Sequence, residues 1–248
     1  MSATKETGHQ VNIDNLDQMI VILKGFGAKY NPTNNDISIM NLEQILTNSR
    51  ASQSGLHEVK QPYTAAGNAR KDAFQPLESL VTRALNALIS TKTSEQTDKS
   101  AKALVRKIKG EKASKKKTSK KIADQTTTQT EDEQISSAQL GYEDQLQNFD
   151  EFIKLLEITP QYNPNEADLK IVELKIYRDD LATKNHAVIE AKVAVDNARI
   201  ARNEELYKPL IGLVDSAADV KTYVKSVFGA TSPQFRQISG LVFSQLKK

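Results

Sequence analysis

Two similar stretches decide the fold: "YNPTNNDISIMNLEQI" at residues 30–45 and "YNPNEADLKIVELKIY" at residues 162–177. Proline has no backbone donor and keeps the residue before it out of the α region, so each YNP ends a helix. At Thr33 and at Asn165, a capping side chain comes three residues before an aspartate, which is typical of a helix N-terminus. Each stretch therefore predicts a helix-to-helix corner rather than a binding motif.

The similarity continues on both sides of the two corners. "NLDQMIVIL" from Asn15 matches "NFDEFIKLL" from Asn148, and "QPLESLV" from Gln75 matches "KPLIGLV" from Lys208. Three matched blocks in the same order indicate an internal duplication. The period is too long for an array of tetratricopeptide or HEAT repeats.

Composition and periodicity favour an all-α protein. Ten Gly, seven Pro and few alternating β-branched runs argue against strands, and each copy contains three segments with an i, i+3, i+4, i+7 apolar stripe. Neither copy could easily bury its stripe alone, so we expect an elongated antiparallel bundle of two copies; two separate three-helix domains are the alternative. The predicted parts are a flexible N-terminal tail (1–12), helical repeat 1 (13–92), a basic and polar linker (93–144), helical repeat 2 (145–228) and a C-terminal tail (229–248).

The middle segment differs between the copies. Residues 166–206 contain neither Gly nor Pro and predict a helix of about 40 residues. In copy one, Gly55, Pro62 and Gly67 predict an interruption or a kink. The helix of copy two carries an alanine seam, which we expect to be a packing or interface surface because small residues let helices approach closely. The seam consists of Ala187, Ala191, Ala194, Ala198 and Ala201.

The third segments should begin at Pro76 and Pro209, because proline suits a first helical turn or a kink, and Leu210 should join the apolar stripe of the second of them. Phe228-Gly229 predicts a helix stop, and Ser232-Pro233 should begin an irregular stretch that ends in the apolar ISGLVF. An exposed apolar tail is a liability, so we expect this one to dock. We favour docking within the same chain over docking on a second subunit.

The linker contains "KSAKALVRKIKGEKASKKKTSKK" at residues 99–121, with eleven Lys or Arg and one acid. It suits a solvated linker, paired in part with the acids of residues 131–133, or a phosphate-binding arm that does not read sequence. A short helix over residues 101–108, docked through its apolar residues, is a third interpretation. The segment lacks aromatics for base stacking. The candidate nucleic-acid contacts are Lys102, Arg106, Lys107, Lys109, Lys115, Lys116, Lys117, Lys120 and Lys121.

The sequence offers no legible chemistry. There is no cysteine, and the histidines are not paired at a metal-ligand spacing: His9 belongs to the predicted tail, while His57 and His186 should be solvent-facing or boundary positions on helices. Phosphate-binding glycine motifs and nucleophile motifs are missing. We therefore predict no catalytic, cofactor-binding or metal-binding residues and no enzyme. Without a signal peptide or a run of about 20 apolar residues, a soluble cytoplasmic protein is expected.

Several motifs carry a resemblance to known proteins. With "YNPNEADL", "NARIARNEELYKPLIGLV", "VKTYVKSVFGATSPQFRQISGL" and the basic linker, the chain resembles a family of uncharacterised bacterial all-helical proteins with a C-terminal FGxxSPxxxxxxGLxF pattern. The resemblance covers most of the length and is strongest over residues 142–243. It implies a bacterial source and a helical fold, and no activity, cofactor or site residue.

The sequence thus predicts a non-enzymatic structural or protein-interaction protein, with a protein partner or a second copy of itself as partner. The alternative is a nucleic-acid-associated protein that uses the Lys-rich linker. A membrane-active protein ranks last, because the apolar runs MIVIL and GLVF are too short to insert.

Overall fold

The computed structural model describes residues 4–111 and 141–246, and these residues form helices and no strand. The expected all-α class is therefore confirmed. The helices are α1 (Thr4–Gly25), α2 (Ile39–Phe74), α3 (Leu77–Ser90), α4 (Glu95–Ile108), α5 (Tyr142–Glu157), α6 (Ile171–Tyr207), α7 (Leu213–Phe228) and α8 (Pro233–Ser239). Short 3-10 turns lie at Gly27–Lys29, Asn35–Ile37 and Ala167–Leu169.

The chain divides into two compact units. Unit 1 contains the described residues up to Thr64 and those from Ala191 onward, and unit 2 contains those from Ala65 to Glu190. Unit 1 thus combines α1, α7 and α8 with the start of α2 and the end of α6; unit 2 combines α3, α4 and α5 with the other parts of those two helices. Each unit takes segments from both predicted copies, so the alternative of two separate three-helix domains is wrong.

The core of unit 1 is formed mainly by α1 and α7. The predicted stripe of α1 is buried, α8 adds Ile238, and the segment after α8 adds Leu241. Burying each such aliphatic side chain contributes roughly 1.5–3 kcal/mol before the entropy of ordering is counted. The buried residues of α1 and α7 are Ile13, Leu16, Met19, Ile20, Leu23, Leu213, Val214, Ala217, Val220 and Val224.

The core of unit 2 is formed by α3, α4 and α5. The stripe predicted for α5 is buried, and α4 contributes Ala101, Val105 and Ile108. Ser94 caps α4, because its hydroxyl accepts a hydrogen bond from the backbone N–H of Thr97 at 3.1 Å. The docked helix considered for the start of the basic linker is therefore confirmed. From α5 and α3 come Phe149, Phe152, Ile153, Leu156, Leu77, Val81, Ala84 and Leu88.

The predicted corners are present, but their caps are not those expected from Thr33 and Asn165. A 3-10 turn follows each YNP, and Asn34 provides the side-chain cap of the first turn. The long helices begin only after these turns, at Ile39 and Ile171. Each 3-10 turn buries one apolar residue, Ile37 in the first corner and Leu169 in the second, and the long helix starts only after that residue.

The two long helices have nearly equal lengths of 36 and 37 residues. The length of α6 agrees with the prediction. Of the interruption or kink predicted for α2, the interruption is wrong, because α2 is one continuous helix. Pro62 lies inside α2 on its exposed side and removes one helical hydrogen bond. Gly55 and Gly67 face open space. Because α2 extends for several turns on both sides of these residues, it stays helical despite the free-energy cost of one proline and two glycines.

The turn before α7 places the start of this helix later than predicted. Between Pro209 and Gly212 the chain forms a turn in which Leu210 has a φ of 73° and is 79% exposed. The backbone N–H of Leu210 donates to the Asp215 carboxylate at 2.8 Å. The prediction that Pro209 begins the helix and that Leu210 joins its buried stripe is wrong, because the turn points Leu210 outward.

Both ends of the described chain pack into unit 1. Helix α1 already begins at Thr4, so the flexible tail predicted over residues 1–12 does not hold for its described part. The side chain of Asn12 donates to the Ser244 carbonyl and accepts from the Ser244 N–H, each at 2.9 Å. His9 is 5% exposed, and its Nδ1 lies 2.7 Å from the Tyr207 hydroxyl. Docking of the tail on its own chain is thereby confirmed.

The C-terminal tail is helical where the sequence predicted irregular structure. Gly229 ends α7 with a φ of 89°, as predicted from Phe228-Gly229. Ser232 then caps α8, accepting from the Phe235 N–H at 3.1 Å, and Pro233 occupies the first turn. The Ser-Pro pair is thus a helix start.

Candidate functional site

The cations of α4 gather on one side of the helix. Lys99, Lys102, Arg106 and Lys109 follow at spacings of three, four and three, which places them on one face. They line a groove of about 370 Å³ together with residues of α3. We call these four residues the α4 basic face.

Two of these cations are compensated locally. Lys99 Nζ lies 2.7 Å from a Glu95 carboxylate oxygen, and Lys109 Nζ lies 3.8 Å from one of Glu111. Within residues 4–111 and 141–246, Lys102 and Arg106 have no carboxylate at ion-pair distance. Lys107 is exposed but does not line the groove. The remaining predicted contacts, Lys115, Lys116, Lys117, Lys120 and Lys121, lie outside the described residues.

A second cleft lies at the YNP corner of unit 2. It measures about 530 Å³ and lies between the corner and α3. Most of the residues that line it are polar, and the apolar contributions come from Ala87, Tyr162, Pro164 and Leu169. Sequence reasoning missed this cleft because its two walls are about 80 residues apart; the concentration of asparagines around YNP was the available signal. The polar lining includes Asn86, Thr91, Asn163 and Asn165.

An exposed ion pair stands beside this cleft. The Arg83 guanidinium contacts both carboxylate oxygens of Asp168, the second at 3.2 Å. The hydrogen bond from Arg83 lowers the pKa of the Asp168 carboxyl below its ordinary value, and the same contact raises the pKa of Arg83. The pair connects α3 to the corner from outside. Because both side chains are half exposed, it orients the two elements more than it stabilises them.

The corner tyrosines are structural. The Tyr30 hydroxyl donates to the Ile37 carbonyl at 2.6 Å, and the Tyr162 hydroxyl donates to the Leu169 carbonyl at 2.7 Å. Burial raises the pKa of Tyr162 to about 12 and also raises the pKa of Tyr30. Both phenols therefore stay neutral donors, and neither is available as a base.

The predicted alanine seam is not part of either buried core. Ala194 and Ala201 are exposed, whereas Ala187, Ala191 and Ala198 are half-buried. The residues of α6 that are buried follow a neighbouring stripe through Val195 and Leu206. Beside the two exposed alanines, Val193 and Ile200 are 52% and 59% exposed, and Asn197 lies between them. We call Val193, Ala194, Asn197, Ile200 and Ala201 the α6 outer face.

Some of the buried polar side chains are hydrogen-bonded to their neighbours, whereas the buried hydroxyls of Ser49 and Ser216 have no partner among the described residues. In unit 2, Arg70 donates to the Asn185 side chain at 2.9 Å, which donates to Glu143 at 2.6 Å. In unit 1, Arg202 is 3% exposed and donates to the Asn203 side chain at 3.0 Å. The network of Arg70, Asn185 and Glu143 connects α2, α6 and α5, whereas Arg202 and Asn203 are neighbours on α6.

The described residues contain no group of three or more His, Asp or Glu side chains placed to hold a metal ion. His57 and His186 are exposed, as predicted, and each contacts only a neighbour one helical turn away. Among the helices in the described ranges, none combines the length and the apolar character needed to span a bilayer.

Comparison of the chain with protein-family models, with curated proteins and with solved structures finds no match. The resemblance to a bacterial helical family therefore stays a prediction.

Proposed function

We propose that this chain is a non-enzymatic protein that works through protein contacts, and that it associates with a second copy of itself through the α6 outer face. The observation that carries this proposal is the exposure of large apolar side chains along an unbroken helix. Exposed apolar patches of this kind mark interaction surfaces. The proposal does not depend on any reaction chemistry.

The pattern of the α6 outer face suits pairing with an identical helix. Val193 and Ile200 are seven residues apart, as are Ala194 and Ala201, which is the repeat of a two-helix seam. Asn197 lies in the middle of this seam. A single asparagine at such a position fixes register and favours a defined number of strands, because it pairs with its own counterpart. The small alanines allow close approach.

Size-exclusion chromatography with light scattering tests this proposal. We expect a mass above one chain at high protein concentration, and the mass of one chain for Ile200→Glu, because a charge inside an apolar seam is strongly unfavourable. Ile158→Glu is the matched control: Ile158 is 79% exposed at the end of α5, so this variant should associate like the wild type. A wild-type protein that stays a single chain at every concentration would exclude self-association.

We also propose that the chain contains two copies of one helical repeat. The matched sequence blocks are supported by equal local geometry at the two corners, each with a tyrosine hydroxyl bonded to the carbonyl seven residues later. Near-equal lengths of α2 and α6 support the same reading.

A second candidate function, the binding of a nucleic-acid backbone, is favoured by the α4 basic face. Four cations on one side of a helix can neutralise phosphates without reading sequence. Fluorescence anisotropy with a labelled single-stranded oligonucleotide at several salt concentrations measures this. We expect Lys102→Ala with Arg106→Ala to weaken binding and to make the log–log salt slope shallower by about 0.7 per cation removed.

The control for this measurement is Lys154→Ala with Lys184→Ala, which removes the same charge from α5 and α6. Equal weakening by both pairs would show that only net charge matters, and the α4 basic face would lose its role.

A further inference from the structure

The two YNP corners pack against different helices. In unit 1 the corner contacts α7, and in unit 2 the corresponding corner contacts α3. The tyrosine bond is the same in both, so the corners offer a comparison within one molecule. They differ in the side chain that the neighbouring helix places against the corner.

In unit 1, a side chain of α7 fills this space. The ring of Tyr223 meets the ring of Tyr30 edge-on, with 5.4 Å between the ring centroids. Its hydroxyl accepts a hydrogen bond from the backbone N–H of Asn31 at 3.2 Å. Tyr223 thus covers the first corner with an aromatic face and satisfies a backbone donor of the YNP turn.

In unit 2, the matching position holds a small residue. Aligning the buried positions of the helices, Leu77 with Leu213 and Leu88 with Val224, places Ala87 opposite Tyr223. Aligning the matched sequence blocks instead places Ser90 there. Ala87 and Ser90 both line the cleft of about 530 Å³, so either alignment leaves the second corner without its aromatic cover.

The backbone of the second corner shows the same difference. Asn163 is the counterpart of Asn31, and it also lines the cleft. In the part of the chain that the structure describes, the Asn163 N–H has no acceptor. The cleft therefore combines a corner tyrosine in its lining, an uncovered backbone donor and a volume within the roughly 300–1,000 Å³ of ligand pockets.

We propose that this cleft accepts a tyrosine side chain presented by a partner polypeptide. The phenol ring packs against Tyr162 and Ala87, and its hydroxyl accepts from the Asn163 N–H, as Tyr223 does at the first corner. Asn86, Asn165 and Thr91 surround the entrance with polar groups for the partner's backbone. This site is separate from the α6 outer face and does not rest on it.

The test uses ¹⁵N-labelled full-length protein and N-acetyl-tyrosinamide as probe, followed by NMR. We expect a saturable shift of the Asn163 amide in the millimolar range, the affinity of a single side-chain ligand. N-acetyl-phenylalaninamide should bind roughly 2- to 10-fold more weakly, since it lacks the hydroxyl that accepts the hydrogen bond. N-acetyl-leucinamide serves as the non-aromatic control. The Asn31 amide should not shift, because Tyr223 already covers it.

Two variants make the outcome decisive. Ala87→Tyr should fill the cleft from within and abolish the Asn163 shift, while Tyr223→Ala should open the first corner and let the probe shift Asn31. An Asn163 amide that stays unmoved up to the solubility of the probe overturns the proposal. So does binding that Ala87→Tyr leaves unchanged, or that the leucine probe reproduces. The Ala87→Tyr result stands even if Tyr223→Ala fails to fold.

Discussion

Single buried polar atoms hold both corners in place. Tyr30 and Tyr162 are 6% and 7% exposed, and each hydroxyl satisfies one carbonyl of the following 3-10 turn. An unsatisfied buried carbonyl would cost about 1–3 kcal/mol, so the tyrosine specifies the turn as much as the proline does. Both phenols must remain protonated to donate.

Alkaline pH should therefore weaken the fold. The folded pKa of Tyr162, about 12, lies above the ordinary value of 10, so the unfolded chain loses this proton first as the pH rises. The stability contributed by the neutral phenol is fully present below pH 10 and is lost between pH 10 and 12. We expect the free energy of unfolding to fall there by about 1.4 kcal/mol per pH unit for this group.

Urea unfolding at several alkaline pH values measures this slope. Tyr162→Phe should remove the contribution of one phenol from this slope, so that the free energy of unfolding falls less steeply with pH. Tyr63→Phe, which changes an exposed tyrosine, should leave the slope unchanged. Equal slopes for Tyr162→Phe and the wild type would contradict the assignment.

Gly212 is required by space rather than by its φ angle. A Cβ at this position would lie 2.6 Å from the backbone nitrogen and 2.7 Å from the carbonyl oxygen of Lys208. The turn would have to shift, so we expect Gly212→Ala to destabilise the protein by about 1–3 kcal/mol in chemical unfolding followed by circular dichroism. Gly55→Ala should instead stabilise α2 by roughly 0.5–1 kcal/mol, because its Cβ meets nothing within 4 Å. Destabilisation by both changes would contradict this distinction.

At the scale of elements, periodicity predicted the stripes of α1, α3 and α5 because a 3.6-residue repeat in apolar side chains depends on one element only. It failed for α8, whose seven residues are too few to show a period. It also failed for Leu210, because a backbone turn with a positive φ interrupts the repeat there. The Ser232-Pro233 pair is nevertheless typical of a helix N-terminus, so the capping by Ser232 could have been predicted from the sequence.

Although helix α8 is short, we expect it to contribute strongly to the free energy of unfolding of unit 1. Ile238 is fully buried between α7 and the N-terminal helix, so Ile238→Ala removes packed methyl groups and leaves a cavity. We expect a loss of about 2–4 kcal/mol in the free energy of unfolding. Val242→Ala, at a position that is 67% exposed, should change it by less than about 0.5 kcal/mol. Similar losses for the two variants would mean that the tail is not packed in solution.

At the scale of the whole molecule, the sequence predicted helices but not which helices share a core. A stripe tells which face of a helix is apolar, and it does not tell which neighbour covers that face. The alternative of two separate three-helix domains gave each predicted copy a core of its own, whereas each observed unit takes segments from both predicted copies. The cleft of unit 2 was unreadable for the same reason, since it needs α3 placed against the second corner.

The exposed position of Ala194 gives a prediction for the folded chain. Ala194→Leu should change the free energy of unfolding of a single chain by less than about 0.5 kcal/mol at low protein concentration, because no core is overpacked. Val195, the next residue, is buried, so Val195→Phe should lower the free energy of unfolding by about 1–3 kcal/mol. Strong destabilisation by Ala194→Leu would show that the seam is internal after all.

The division of unit 1 between the two ends of the chain has a consequence during synthesis. Unit 2 is one continuous stretch and can close while the ribosome is still at work, but α1 meets its partner α7 only after almost the entire chain has emerged. At elongation rates of about 5–20 residues per second, that wait lasts roughly 10–40 s. Throughout it, the start of α2, with Leu42 and Leu46, is the main part of unit 1 that can cover the apolar stripe of α1. We therefore expect a chaperone that binds exposed apolar segments to act on this chain chiefly before α7 has emerged.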